Sequence, residues 1–285
     1  MPPTFLNADL HCHSVVSDGT ITPEELAPRA AANGVELWSL TDHDEIGGQH
    51  RAIAAAHAAG MAYLTGAEIS VTFAGVTVHI VGLGFDPDNA ALREGLAETR
   101  DGRIPRARDM ADQLAKVGIA GAYDGALKYV GNPQLVSRTH FARFLVETGV
   151  CRDTPEVFRK YLTEGKPGYV PHRWATLGDA VRWITQAGGV AVIAHPARYK
   201  LTANEEYALF SEFKAHGGQG VEVVTGSHTA AEYVTYADMA REFGLAASRG
   251  SDFHGPEESY TDLGKLPFLP DTLTPVWELL EHRIR

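Results

Sequence analysis

Six of the 13 histidines stand at or beside short runs of β-branched and aliphatic residues, usually next to a carboxylate. They are His11 and His13 in Asp9-Leu10-His11-Cys12-His13-Ser14, His43 in Thr41-Asp42-His43-Asp44, His79 in Val78-His79-Ile80, His195 in Ala194-His195-Pro196, and His254 in Ser251-Asp252-Phe253-His254-Gly255. Residues two apart on a strand share a face, so His11 and His13 can grip one ion while Cys12 points away and reads as a packed thiol. Asp252 and His254 repeat that spacing, and Glu68 in Gly66-Ala67-Glu68-Ile69-Ser70 adds a carboxylate. An unpaired imidazole is costly to bury, so His79 inside its apolar run needs a metal or hydrogen-bond partner. Nitrogen and carboxylate donors without thiolates suit Zn, Mn or Fe in an open catalytic site, and ligands shared between neighbouring ions imply two or three of them. Such a cluster activates water and stabilises the attacking and leaving oxygens of a phosphoryl displacement, so hydrolysis is the expected reaction class. Taken alone, Asp18 in Ser17-Asp18-Gly19-Thr20 reads as a turn aspartate and His195 as a core histidine, although Pro196 points to a strand-end loop. His50, His57, His172, His216, His228 and His282 have no comparable context.

These residues must be positioned by the apolar runs Thr4–Leu10, Glu36–Leu40, Ala62–Ile69, Val76–Leu83, Val190–Ala194, Val221–Val224 and Leu245–Ser248. Segments with helical periodicity follow most of them, which predicts an α/β protein with a parallel sheet or barrel. In a barrel, residues just past the carboxyl ends of the strands converge on one mouth, so separate motifs meet in space. Thr22-Pro23-Glu24-Glu25 combines a capping hydroxyl, a proline at the first helical position and an acid three residues after the cap, and therefore opens a helix. Weaker versions stand at Thr154-Pro155 and Thr274-Pro275, and Val276, Trp277, Leu279 and Leu280 predict an apolar stripe on a terminal helix.

The stretch from Asn89 to Pro171 has little strand character and reads as a helical insertion, 89–171, between barrel segments 1–88 and 172–285. Ile104, Ala107, Ala111, Leu114 and Val117 keep a three-to-four spacing, with Arg100, Arg103, Arg106 and Arg108 expected on the same helix, either as a solvated face or facing an anion.

The 285 residues are 44% hydrophobic and 21% charged, which excludes disorder, collagen and coiled coil. A net charge of −11 argues against a basic coat for duplex nucleic acid, but not against a local cationic site, because metal ions supply charge of their own. Two cysteines make no disulfide framework, and neither a signal peptide nor a membrane-length apolar run is visible, so a cytoplasmic protein is expected.

The ordered motifs Asp9 to Ser14, Ser17 to Gly19, Thr41 to Asp44, Gly66 to Glu68, Ala194 to Pro196 and Gly250 to His254 resemble the PHP (polymerase and histidinol phosphatase) family of metal-dependent phosphoesterases. The resemblance implies a distorted, amidohydrolase-like (β/α)7 barrel with a helical insertion and two or three divalent ions, Mn2+ foremost and Zn2+ or Fe2+ as alternatives. It implies one ion on His11, His13, Glu68 and Asp252, and a second on Glu68, His79 and His195. A third would sit on Asp18, His43 and His254, unless these meet substrate phosphate directly. His11, His13, Glu68, Asp252, His43 and His254 form the expected catalytic set, and Asp9, Asp42 and Asp44 are expected to orient imidazoles or cap loops.

The segments Ser137 to Phe144 and Gly165 to Pro171 resemble a stand-alone bacterial branch containing nucleoside 3′,5′-bisphosphate phosphatases and enzymes that trim short RNA from the 5′ end. That implies substrate contacts from Asp18, His43, Arg103, Arg138, His140 and Lys166, with Tyr169, Phe141 or Tyr199 stacking on a base. The expected activity is removal of a 3′-phosphate by a metal-bridging hydroxide, as from adenosine 3′,5′-bisphosphate to AMP. The alternatives are a 5′ to 3′ exonuclease on short RNA and a non-catalytic nucleotide- or metal-binding module.

Overall fold

The computed structural model describes residues 5–285, so Thr4 of the first strand candidate lies outside the described residues. Three short parallel strands, β1 (Ala8–Asp9), β2 (Leu37–Trp38) and β3 (Ala62–Tyr63), form one sheet, with α1 (Pro23–Ala32) and α2 (Gln49–Ala58) as crossovers. Helix α1 starts as its sequence predicts: Thr22 Oγ1 accepts from Glu25 N at 3.3 Å, and Glu25 Oε2 accepts from Thr22 N at 2.9 Å. A second sheet has the order β4 (Gly66–Phe73), β5 (Val76–Leu83), β6 (Val190–Ile193), β7 (Gly220–Thr225) and β8 (Ala246–Gly250).

The expectation of parallel strands throughout is corrected at β5, which runs antiparallel to both β4 and β6. Only Ala74 and Gly75 separate β4 from β5, at φ of 46° and 78°. Two residues with positive φ close a hairpin and are far too few for the crossover a parallel pair requires. The single candidate 62–69 correspondingly divides into β3 and the start of β4.

The sheets meet along two seams. Leu10 N donates to Arg249 O at 3.0 Å and His13 N to Phe253 O at 2.8 Å, while Glu68 N donates to Asp42 O at 3.3 Å and Asp44 N to Glu68 O at 2.9 Å. These bonds gather the segments after β1, β2 and β8 beside β4, which is where the histidine motifs lie. At the first seam a Cβ on Gly250 would stand 2.3 Å from His11 Cβ and 2.7 Å from His11 N. Gly250→Ala is therefore expected to destabilise the fold by about 1–3 kcal/mol through overpacking, read as a lowered urea midpoint at unchanged slope.

Residues 90–162 form α3 (Ala90–Asp101), α4 (Arg103–Lys116), α5 (Ala122–Leu127), α6 (Arg138–Glu147) and α7 (Thr154–Val157), the last running into a π-helical turn, Phe158–Leu162. They bury an apolar cluster of their own that includes Met110, Leu114, Phe141, Leu145 and Leu162. Gly102 separates Arg100 on α3 from Arg103, Arg106 and Arg108 on α4, so the four cations do not share a helix. Val117 is 48% exposed just past the end of α4, and Met110 takes an inward position instead. Asp153 rather than Thr154 caps α7.

Helices α8 (Leu177–Gln186), α9 (Ala203–Ala215) and α10 (Ala230–Phe243) pack their apolar faces on the second sheet. The chain ends in a 3-10 helix, Val276–Arg283, which has no side-chain cap and leaves Leu279 exposed beside buried Val276, Trp277 and Leu280. Among the described residues no helix is long and apolar enough to cross a membrane.

Candidate active site

Glu68 on β4 occupies the middle of the histidine cluster. Its Oε1 lies 2.9 Å from both His79 Nδ1 and His195 Nε2, and its Oε2 lies 3.0 Å from His43 Nδ1 and 3.3 Å from the Nε2 atoms of His11 and His13. Asp252 Oδ1 stands 3.2 Å from His13 Nε2 and 3.5 Å from His11 Nε2. Asp18 Oδ1 lies 3.5 Å from His254 Nε2 and 3.9 Å from both His43 Nε2 and His13 Nδ1. The antiparallel course of β5 brings His79 to Glu68 from mid-strand.

Donor atoms of three residue sets lie within 4.8 Å of one another: His11, His13, Glu68 and Asp252; His13, Asp18, His43 and His254; and His43, Glu68 and His79. His13, His43 and Glu68 thus belong to two sets each, and His195 reaches the cluster through Glu68.

This arrangement fits divalent cations. Buried Nδ1 atoms of His13, His43, His79 and His195, together with Asp18 Oδ1 and Glu68 Oε2, have no hydrogen-bond partner, although orphaned buried polar atoms are rare in native folds. Burial opposes ionisation of the three carboxylates, yet the surrounding imidazoles hold Glu68, Asp18 and Asp252 well below the usual carboxylate range. Burial likewise opposes a charge on His13, but Asp252 and Glu68 raise it to about 10. Burial lowers His195 to about 4, and it also pushes down His43 and His254, leaving neutral nitrogens able to ligate. The cluster therefore keeps its acids ionised and demands compensating positive charge.

Three of the four described non-glycine residues at positive φ are here: Asp44 at 50°, His195 at 25° and Asp252 at 55°. Such backbone costs about 1–3 kcal/mol each and persists only where the surroundings over-determine it. For His195 the restraint is Glu222, whose Oε2 accepts from His195 N at 2.7 Å while its Oε1 lies 2.8 Å from His11 Nδ1. With Nδ1 bonded there, His11 presents Nε2 to the cluster. Sequence reading missed Glu222, yet the signal was present: an acid within Gly220-Val221-Glu222-Val223-Val224 must be paired if that run is a buried strand.

Arg198, also missed, donates from Nη1 to Asp252 Oδ2 at 2.6 Å and so occupies the carboxylate oxygen turned away from the imidazoles. Asp9 accepts from Ser251 N and Gly264 N, and Asp42 from Ser14 N and the Ser14 and Ser17 hydroxyls; both cap loops. Asp44 accepts from Ser70 and from the Arg103 guanidinium.

The cavity containing Asp18, His43, Glu68, His79, Asp252 and His254 is also lined by Arg103, Arg106, Arg138, Arg198, Phe158 and Trp174. Lys166 is elsewhere, with Tyr169 in a surface cavity beside α4. His140 is buried behind Asp18, its Nδ1 accepting from Ser137 N at 3.0 Å. Phe141 lies in the helical core, and the Tyr199 hydroxyl bonds Ala194 O and His79 N, so neither is placed to stack on a ligand. The aromatic walls of the cavity are Phe158 and Trp174.

A family model for the PHP domain matches residues 9–97. The chain is 52% identical over 278 residues to a 3′,5′-nucleoside bisphosphate phosphatase of Chromobacterium violaceum, with 98% of each protein covered. It is 42% identical over 270 residues to a 5′-3′ exoribonuclease of Haemophilus influenzae, covering 95% of this chain and 97% of that one. A solved structure described as an amidohydrolase from Chromobacterium violaceum with bound sulfate and no metal superimposes at a TM-score of 0.95, with 52% identity over 98% of this chain and 97% of the other. With its histidine and carboxylate motifs assembled in one cluster and likeness over nearly its whole length, the chain belongs to the PHP-domain family.

Proposed function

We propose that this chain is a metal-dependent phosphomonoesterase that removes the 3′-phosphate of nucleoside 3′,5′-bisphosphates, releasing a nucleoside monophosphate and inorganic phosphate. The observation that carries the reading is the meeting, in one cavity, of the imidazole–carboxylate cluster with guanidiniums that have no acid to neutralise them. Among the described residues no carboxylate lies within ion-pair distance of Arg106 or Arg138; each guanidinium makes one hydrogen bond, to Val170 O at 3.0 Å and Leu162 O at 3.4 Å respectively. Paired phosphates suit such a cavity, and the Chromobacterium relative's name points the same way.

We read the scaffold as a distorted (β/α)7 barrel of residues 1–88 and 172–285, with 89–171 inserted over its mouth. The hydrogen bonds at both seams and the separate apolar cluster of the helical segment support this division.

His11, His13, Glu68 and Asp252 would hold one ion, Glu68, His79 and His195 a second, and Asp18, His43 and His254 a third, with Mn2+ favoured over Zn2+ or Fe2+. Bound there, divalent ions would supply a strongly nucleophilic water at neutral pH and offset charge on the phosphoryl oxygens. The chain's own part is orientation. Glu222 orients the His11 ring and holds the His195 backbone, Arg198 fixes Asp252, and Arg106 and Arg138 hold the second phosphate by charge-assisted hydrogen bonds. The Arg103 and Arg106 guanidiniums lie 4.8 Å and 5.3 Å from the Trp174 ring, which pins them against the cavity wall. Cys12 and Cys151 are free thiols, consistent with a cytoplasmic setting.

The test is phosphate release by Mn2+-loaded protein from adenosine 3′,5′-bisphosphate beside 5′-phosphorylated di- to pentanucleotides, with a chelator control. Fast, chelator-sensitive release from the 3′ position with little action on longer chains is expected. Faster shortening of the oligonucleotides from the 5′ end would instead establish the exonuclease reading that the Haemophilus relative represents. No turnover of any phosphoester with Mn2+ or Zn2+ would leave a binding module.

A further inference from the structure

We propose that helix α6 forms part of the seat of the third cation: Ser137 and Arg143 are positioning residues that hold the Asp18 and His254 loops in ligating geometry. The inference rests on the reading of Asp18, His43 and His254 as a cation site.

Asp18 is a turn residue with two carboxylate oxygens and needs a reason to keep one aimed at the imidazoles. Ser137, the cap of α6, supplies it by donating from Oγ to Asp18 Oδ2 at 3.2 Å, which leaves Oδ1 facing His13, His43 and His254. The hydroxyl also lies 3.2 Å from His140 Nδ1, but the one lone pair of that nitrogen already accepts from Ser137 N at 3.0 Å, which leaves the hydroxyl proton for Asp18.

Nearly two turns further along α6, Arg143 Nη2 donates to the Asp18 carbonyl at 2.5 Å. The same guanidinium grips Glu258, Nε to Oε1 at 2.6 Å and Nη2 to Oε2 at 2.7 Å. Glu258 belongs to the loop after His254, where Ser259 Oγ accepts from His254 N at 2.8 Å. Thr20 N in turn donates to His254 O at 2.7 Å, so the Asp18 and His254 loops are bonded to each other as well as to Arg143. Arg143 is thus a planar staple across the segments carrying two of the three ligands, a role that needs the fork of a guanidinium. None of these bonds reaches His11, Glu68 or Asp252, so the effect on ions should be selective.

The experiment is Mn2+ titration of the chelator-stripped full chain, counting free ion by electron paramagnetic resonance. Wild type is compared with Asp18→Asn, Arg143→Gln, Ser137→Ala and the control Arg152→Gln, whose side chain is 77% exposed and pairs only with Asp153 and Glu156. Expected are three equivalents in wild type and control, and two in Asp18→Asn. Arg143→Gln should show a third equivalent weakened by at least about 10-fold, with the first two unchanged, as for loss of a group that orients a ligand. Ser137→Ala should shift the same equivalent in the same direction, which covers the case in which Arg143→Gln fails to fold. A third ion bound as in wild type by both helix variants, while Asp18→Asn loses it, overturns the proposal and leaves the ligand reading intact. Equal weakening of all ions would be general loosening, and it overturns the proposal too. If Asp18→Asn binds as many ions as wild type, the ligand reading itself fails.

Discussion

Glu68→Gln is expected to lower turnover by at least about 100-fold and to abolish the stabilisation that Mn2+ gives the protein, while the metal-free fold persists. Glutamine has the size and shape of glutamate, so packing between Ala67 and Ile69, both fully buried on β4, is preserved. What disappears is a charge that faces five imidazoles at 2.9–3.3 Å. It serves two of the proposed cation positions at once, so its loss differs from loss of a terminal ligand such as His254. In wild type, a cation at 100 times its dissociation constant raises stability by about 2.7 kcal/mol, visible as a higher Tm. That increment should vanish in Glu68→Gln, and phosphate release should fall with it. Full turnover by this variant after chelation would sink the metal-dependent mechanism. His13→Ala and Asp252→Ala follow the same logic and should each cost at least about 100-fold.

Much of this site was legible because its signals are local. The spacing of His11 and His13 reports a shared strand face wherever that strand lies, and the Thr22 to Glu25 capping box contains its own hydrogen-bonding partners. Features decided by long-range pairing were less visible. The run from Val76 to Leu83 has the same composition in either direction, and only the two-residue link at Ala74-Gly75 fixes it as antiparallel. Glu222 was hidden because an acid in a strand is read by default as its solvent side, and only the other sheet shows that it faces His11. Periodicity across Gly102 joined Arg100 to the wrong helix, since a period continues through a break that the backbone does not. Lys166 and Arg138 both sit in motif-like stretches, but loop packing sends one to a cavity beside α4 and the other to the histidine cluster.

Truncation of the unpaired arginines separates binding of a second phosphate from chemistry at the first. For Arg106→Ala with Arg138→Ala, kcat/KM on adenosine 3′,5′-bisphosphate is expected to fall at least about 100-fold, mostly through KM. Each lost charge-assisted hydrogen bond costs about 1.5–3 kcal/mol, so two together reach that factor, at tenfold per 1.4 kcal/mol. A simple phosphomonoester lacking the second phosphate should be cleaved nearly as before. Stability should change in the opposite sense from an ordinary buried truncation. Burial, with the neighbouring Arg138 and Arg103 charges, lowers Arg106 to about 9, and burial lowers Arg138 as well, so both cations are held at a cost in the free protein. Removing them should leave the Tm unchanged or raise it, since groups placed for a ligand rather than for the fold are repaid only when the ligand arrives. Arg103 is the internal contrast: its partner is Asp44, so Arg103→Ala leaves a buried carboxylate unpaired and should lower the Tm. An equal loss of activity on the simple ester would instead place Arg106 and Arg138 at the reacting phosphate, and no loss on either substrate would remove the second-phosphate site from this cavity.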